Sequence, residues 1–281
     1  MAGSISIEEA VAGFQDLLDH AIRTGGVDGK NAAIRSGRPI NLIHDAVKAA
    51  FIAEGIAAER LAPALGTATG ELKLTGFIKQ KKQDVCIRPL DLVPQREDGF
   101  TGLLDDASDA YGTTFTERTI VVNVRSQISS LDKNFDTLFE RTIAEAQNLH
   151  VRCPRVVMGE VYMIAVPEYD VDALKRQVVA HSTRAPKVAK YVKAFNAINN
   201  RRVPVGSDHC YERVCLLVVD FRPAVPVIHH AADSLKDAGL IAADSALDLS
   251  GLGWHGFARD LLAIHEERFH DGVVQAVGIP Q

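Results

Sequence analysis

The order of apolar and polar positions divides the chain into helical and strand-like stretches. Ile7, Val11, Phe14, Leu17, Leu18 and Ile22 recur at helical spacing, which predicts an amphipathic helix ended by Gly25-Gly26. After Pro39 a second helix is expected from Leu42, Ile43, Val47, Ala50 and Phe51, with Gly55 as its stop. Residues 71–79 and 83–90 read as two strand-like runs around the basic stretch Gln80-Lys81-Lys82, either a tight hairpin or one long bent strand. The β-branched run Thr119-Ile120-Val121-Val122-Asn123-Val124 makes residues 118–126 a third strand. Residues 134–150 set Phe135, Leu138, Phe139, Thr142, Ile143, Ala146 and Leu149 on one broad face of a helix that Asp132 or Asn134 would cap. A fourth strand at 155–166, a fifth at 212–221 and a closing helix at 257–269 complete the pattern, with loop signals around 24–38, 96–111 and 203–208.

Composition narrows the class. With 281 residues and 47% hydrophobic content, the chain can bury a substantial core, and it shows no internal repeat, so residues 1–281 read as a single domain. No apolar run reaches membrane-spanning length, and the first fifteen residues are acidic and amphipathic where a secretory signal would be basic and then apolar; a cytoplasmic location is expected. Cys86, Cys153, Cys210 and Cys215 form no Cys-x-x-Cys pair and read as reduced, buried thiols. His229, His230, His255, His265 and His270 lack ligand spacing with a carboxylate partner and read as structural.

Polar residues inside the apolar strands carry the candidate chemistry. Asp84 lies in Gln83-Asp84-Val85-Cys86-Ile87, and Asn123, Arg125 and Gln127 alternate with Val122, Val124 and Ser126. Residues two apart on a strand share a face, so Asn123, Arg125 and Gln127 form a polar line that an aspartate on the neighbouring strand could meet.

The predicted order of helix, three strands, helix and strand, with Asp84 on the second strand and Asn123-Val124-Arg125 on the third, resembles the PD-(D/E)XK nucleases. The segment from Val124 to Ser130 followed by Asn134-Phe135-Asp136, and then by Glu145-Ala146, is similar to the stretch after the motif in type II restriction endonucleases. The resemblance implies an α/β fold with a restriction-endonuclease-like core over residues 39–166, a mixed central sheet flanked by helices. Residues 1–38 would then be a helical extension and 167–281 a C-terminal part. It also implies Mg²⁺-dependent, sequence-specific hydrolysis of double-stranded DNA, in which Asp84 and Asn123 bind the metal and Arg125 takes the catalytic lysine's place. Glu140 would supply a second carboxylate from the following helix, with Glu145 in reserve. Asn123 brings a carbonyl oxygen but no charge, and Arg125 keeps a charge but does not exchange protons near neutral pH, so the same motif also suits a DNA-binding protein that does not cut. A third class, an α/β enzyme acting on a phosphorylated small molecule, lacks a glycine-rich phosphate loop.

The net charge of −5 gives no general attraction to nucleic acid, but residues 173–207 contain no Asp or Glu. Val188, Tyr191, Val192, Phe195 and Ile198 at helical spacing predict a helix over 187–199 that turns Lys187, Lys190 and Lys193 outward, with Arg201 and Arg202 just beyond it. Together with Gln127, these residues are the expected DNA contacts. Cutting both strands of a palindrome is most simply done by a two-fold protein, so a homodimer is expected.

Overall fold

The computed structural model describes residues 5–184 and 187–270, without the side chain of His270. Helix α1, Ile7–Arg35, starts at a capping box in which Ser6 and Glu9 exchange hydrogen bonds, and it buries Val11, Phe14, Leu18 and Ile22. Gly25-Gly26 does not end it. Gly26 takes φ 54° and ψ −132° and kinks the helix, which then resumes to Arg35. A β-carbon at Gly26 would lie 2.5 Å from the Leu174 carbonyl oxygen, so the bend lets the chain backbone pass where a larger residue would clash. The expected loop over 24–38 is therefore mostly helix. Helix α2, Arg38–Ala53, follows Gly37, which turns the chain at φ 72°.

Strands β1 (Leu61–Ala62), β2 (Lys73–Thr75), β3 (Gln80–Lys82) and β4 (Val85–Ile87) come next. The basic stretch 80–82 is a strand and not a turn: β2 and β3 pair antiparallel, Lys73 opposite Lys82, as a separate two-stranded ribbon turning at residues 76–79. Asp84 consequently lies between β3 and β4. Helix α3 (Gly112–Glu117) leads into β5 (Ile120–Gln127), and helix α4 (Leu131–His150) into β6 (Val157–Ala165). Helix α4 begins before either expected cap. The Glu168 carboxylate accepts from the backbone N–H groups of Ser130 and Leu131, each at 2.8 Å, and so satisfies donors at its start. Helices α5 (Val171–Lys175) and α6 (Val188–Ala197) connect to β7 (Arg213–Asp220), and β8 (Val227–His229), α7 (Ala232–Asp237) and α8 (Phe257–His270) complete the described chain.

The fold is mixed α/β, with a six-stranded mixed sheet of order β1-β4-β5-β6-β7-β8 flanked by helices. The β1–β4, β4–β5 and β7–β8 pairs are antiparallel, whereas β5–β6 and β6–β7 are parallel. Every residue of β6 and β7 is buried, as expected for parallel strands covered on both faces. One face, with Val122, Val124 and Val161, joins Phe14, Phe51 and Leu261 of α1, α2 and α8 in a hydrophobic core. The other, with Val121, Tyr162 and Leu216, packs against Phe135 and Leu149 of α4 and Val192 and Phe195 of α6. No helix among the described residues is long and apolar enough to cross a membrane.

Candidate functional site

Strand alternation sends Val122 and Val124 into the first core and turns Asn123, Arg125 and Gln127 towards α4 and α6. Parallel pairing sets Asn123 opposite Glu160, and Arg125 opposite Tyr162, on β6. One helical turn on α4 brings Thr142 and Glu145 over this line. Arg125 then reaches three partners: Nη1 donates to the Thr142 hydroxyl at 2.9 Å, Nη2 donates to the Glu145 carboxylate, and Nε lies 3.4 Å from Glu160. Glu145 also accepts from Lys81 of β3 and, at 3.3 Å, from Arg141.

Asp84 reaches the same segment from just ahead of the neighbouring strand, β4. Its carboxylate accepts the Val124 backbone N–H at 2.9 Å, tying the start of β4 to the middle of the Asn-Val-Arg run. Asp84 thus meets the backbone of β5 at Val124, and hydrogen-bonds to none of the side chains of Asn123, Arg125 and Gln127. The Asn123 side-chain amide donates to the Tyr211 hydroxyl at 3.4 Å, and that hydroxyl donates to the Thr142 carbonyl at 2.8 Å.

Burial sets the electrostatics. It is the largest influence on Glu160, and with Asp84 and Glu145 nearby it outweighs the attraction of Arg125, pushing the carboxyl up to about 7. Burial would also raise Glu145, but Arg125 and Lys81 hold it below the usual carboxylate range. For Arg125, burial works against the charge and is overcome by Glu160, Glu145 and Asp84, so its pKa is raised. Beside Asp84, on α2, burial lowers His44 against the opposing pull of that carboxylate, and His44 Nε2 has no hydrogen-bond partner.

These residues do not fit the expected Mg²⁺ site. Asp84 and Asn123 offer one negative charge between them, Glu145 is paired with Arg125 and Lys81, and burial favours the protonated form of Glu160. No group of three or more His, Cys, Asp or Glu side chains among the described residues is disposed to hold a metal ion. What the cluster can do is hold the third strand, the following helix and β6 in fixed register through a forked, charge-assisted contact.

The other expected residues divide by burial. Glu140 is exposed and outside the cluster; Glu145, five positions further along α4, is the carboxylate that reaches Arg125. Gln127 is buried, accepting from the hydroxyls of Tyr162 at 3.0 Å and Tyr191 at 2.6 Å while donating to the Ser130 carbonyl, so it is closed to DNA. Arg201 is likewise internal, donating to Glu212 at 2.7 Å and to the carbonyls of Pro154 and Pro204. Lys187, Lys190, Lys193 and Arg202 are exposed, with Lys190 paired to Asp136 at 2.7 Å. Sequence reasoning missed Glu160, whose signal was a single acid in an otherwise apolar strand, and His44. Comparisons with family models, curated proteins and solved structures found no match to this chain.

Proposed function

We propose that the protein binds double-stranded DNA on a restriction-endonuclease-like core and does so without Mg²⁺-dependent cleavage. The observation that carries this reading is topological. Helix α2 precedes β1, β4 and β5 in antiparallel succession, and α4 leads from β5 to a parallel β6, the order implied by the resemblance, with β1 at 61–62 in the place expected for 71–79 and Asp84 just ahead of β4, bound to the Val124 backbone. The internal ion cluster in place of a metal site favours binding over cutting. Lys187, Lys193 and Arg202, exposed and with no carboxylate on their side-chain charges among the described residues, supply the positive charge for phosphates, although the Lys187 backbone N–H donates to Asp132. Cleavage is the second reading, and it has one observation in its favour: Asn123 Oδ1 and both Glu160 oxygens are buried acceptors with no hydrogen-bond donor.

The test is a gel assay of the purified protein on duplex DNA, with Mg²⁺ and with EDTA, at low and moderate salt. A salt-sensitive shift with the DNA intact in both conditions is expected. Discrete Mg²⁺-dependent fragments would establish the second reading, and the absence of any shift at low salt would remove DNA as the partner.

A further inference from the structure

The β2–β3 ribbon presents an apolar tip to solvent. Phe77 and Ile78 in its turn are 59% and 42% exposed, and Leu103 on the facing loop is 76% exposed. Side chains this apolar are normally withdrawn from water, and here Phe77 and Leu103 line a cleft of about 650 Å³ with Phe100, while Ile78 and Leu103 line the hollow next to it.

The tip is held rigidly. Asn148 of α4 accepts the N–H groups of Ile78 at 2.7 Å and Lys79 at 3.1 Å, and its amide donates back to the Lys79 carbonyl at 3.1 Å. Its backbone carbonyl accepts the N–H of Phe77 at 2.6 Å. A β-carbon on Gly76 would lie 2.3 Å from Asn148, so the turn sits directly on the helix. An apolar surface fixed in this way costs little further ordering when it is covered.

Charge around the tip is divided by sign. Lys73 and Lys79 border one side of a second hollow beside Ile78, and Asp105 and Asp106 border the other, all four exposed. The other ribbon lysines have partners, Lys81 with Glu145 and Lys82 with Glu71, whereas Lys73 and Lys79 have no carboxylate within ion-pair distance among the described residues. A strongly polyanionic partner would meet two aspartates here as well as two lysines. A two-fold axis through Ile78 and Leu103 instead sets the lysine side of one molecule against the aspartate side of its mate, and apolar tip against apolar tip.

We propose that this surface is the interface between two copies of the chain. Sedimentation velocity of the full chain, from low micromolar to about 100 µM, should show a reversible dimer. Leu103→Asp should give monomer throughout, with Phe77→Ser as a second disruption should the first variant fold poorly. Lys73→Glu with Lys79→Glu, or Asp105→Lys with Asp106→Lys, should weaken association at least about tenfold by setting like charges together. All four reversals combined should restore it, because each interface contains both sides. A wild type monomeric over the whole range, a dimer indifferent to Leu103→Asp and Phe77→Ser, or reversals that fail to compensate would overturn the proposal. Dimerisation is measured without DNA, so its failure is distinct from failure of DNA binding.

Discussion

Asn123 and Glu160 stand opposite one another on parallel strands at the centre of the sheet, both fully buried, and three of their acceptor oxygens meet no donor. Unmet acceptors at this depth are costly, and the cost falls when Glu160 takes a proton, since a neutral carboxyl loses its desolvation penalty and gains a hydroxyl. The upward displacement of its titration to about 7 expresses that balance.

Stability should therefore decline towards alkaline pH. The folded chain holds this proton more tightly than the unfolded one, so the contribution is full below the unfolded value near 4.5 and is lost as pH rises through about 7. The displacement corresponds to up to ~3 kcal/mol. Urea unfolding at pH 5 and pH 8 should show the loss, and Glu160→Gln should flatten it; an unchanged pH dependence in that variant would contradict the assignment.

Arg125 should matter more to folding than to any ligand. Arg125→Met leaves Glu145 to Lys81 and Arg141 and removes the β5 cation beside Glu160, at an expected cost of about 3–5 kcal/mol. Arg125→Lys should recover part of this, because one ammonium cannot reproduce the fork to Thr142 and Glu145. The urea midpoint reads both, and a midpoint unmoved by Arg125→Met would mean the cluster is not formed in solution.

The exposed and buried residues once grouped as DNA contacts should behave as two sets. Lys187→Ala and Lys193→Ala should each lower the slope of log affinity against log salt by roughly 0.9, with the fold intact. Lys190→Ala should do less, since Asp136 already occupies its charge. Gln127→Ala and Arg201→Ala should lower the unfolding midpoint, because Tyr162, Tyr191 and Glu212 lose internal partners. Equal salt-slope losses in both sets would remove the distinction.

Long periodic elements were legible in the sequence: α2, β5, α4, β6, β7 and α8 fall within a few residues of expectation because their buried faces repeat with the element's own period. The strand Gln80–Lys82 was not, since it is polar, lies outside the main sheet and depends on its hairpin partner. Gly25-Gly26 misled for a different reason: a glycine can bend a helix against a neighbouring backbone as readily as end it. At the site, strand alternation revealed that Asn123 and Arg125 share a face, whereas Asp84 meets the backbone between them and not that line of side chains. Polarity alone could not tell Gln127 and Arg201, which satisfy the interior, from Lys187 and Lys193, which face water. Glu145 rather than Glu140 completes the cluster because helical phase, not distance along the chain, decides which carboxylate turns inward.

The main sheet ends on β1, two residues long, and on β8, three residues long. Stubs of this length expose too few free amides and carbonyls to template another strand, so the sheet resists growing by edge addition into ordered aggregates. Crowding this protein, or destabilising it modestly, should favour reversible side-chain-mediated clustering over fibre formation.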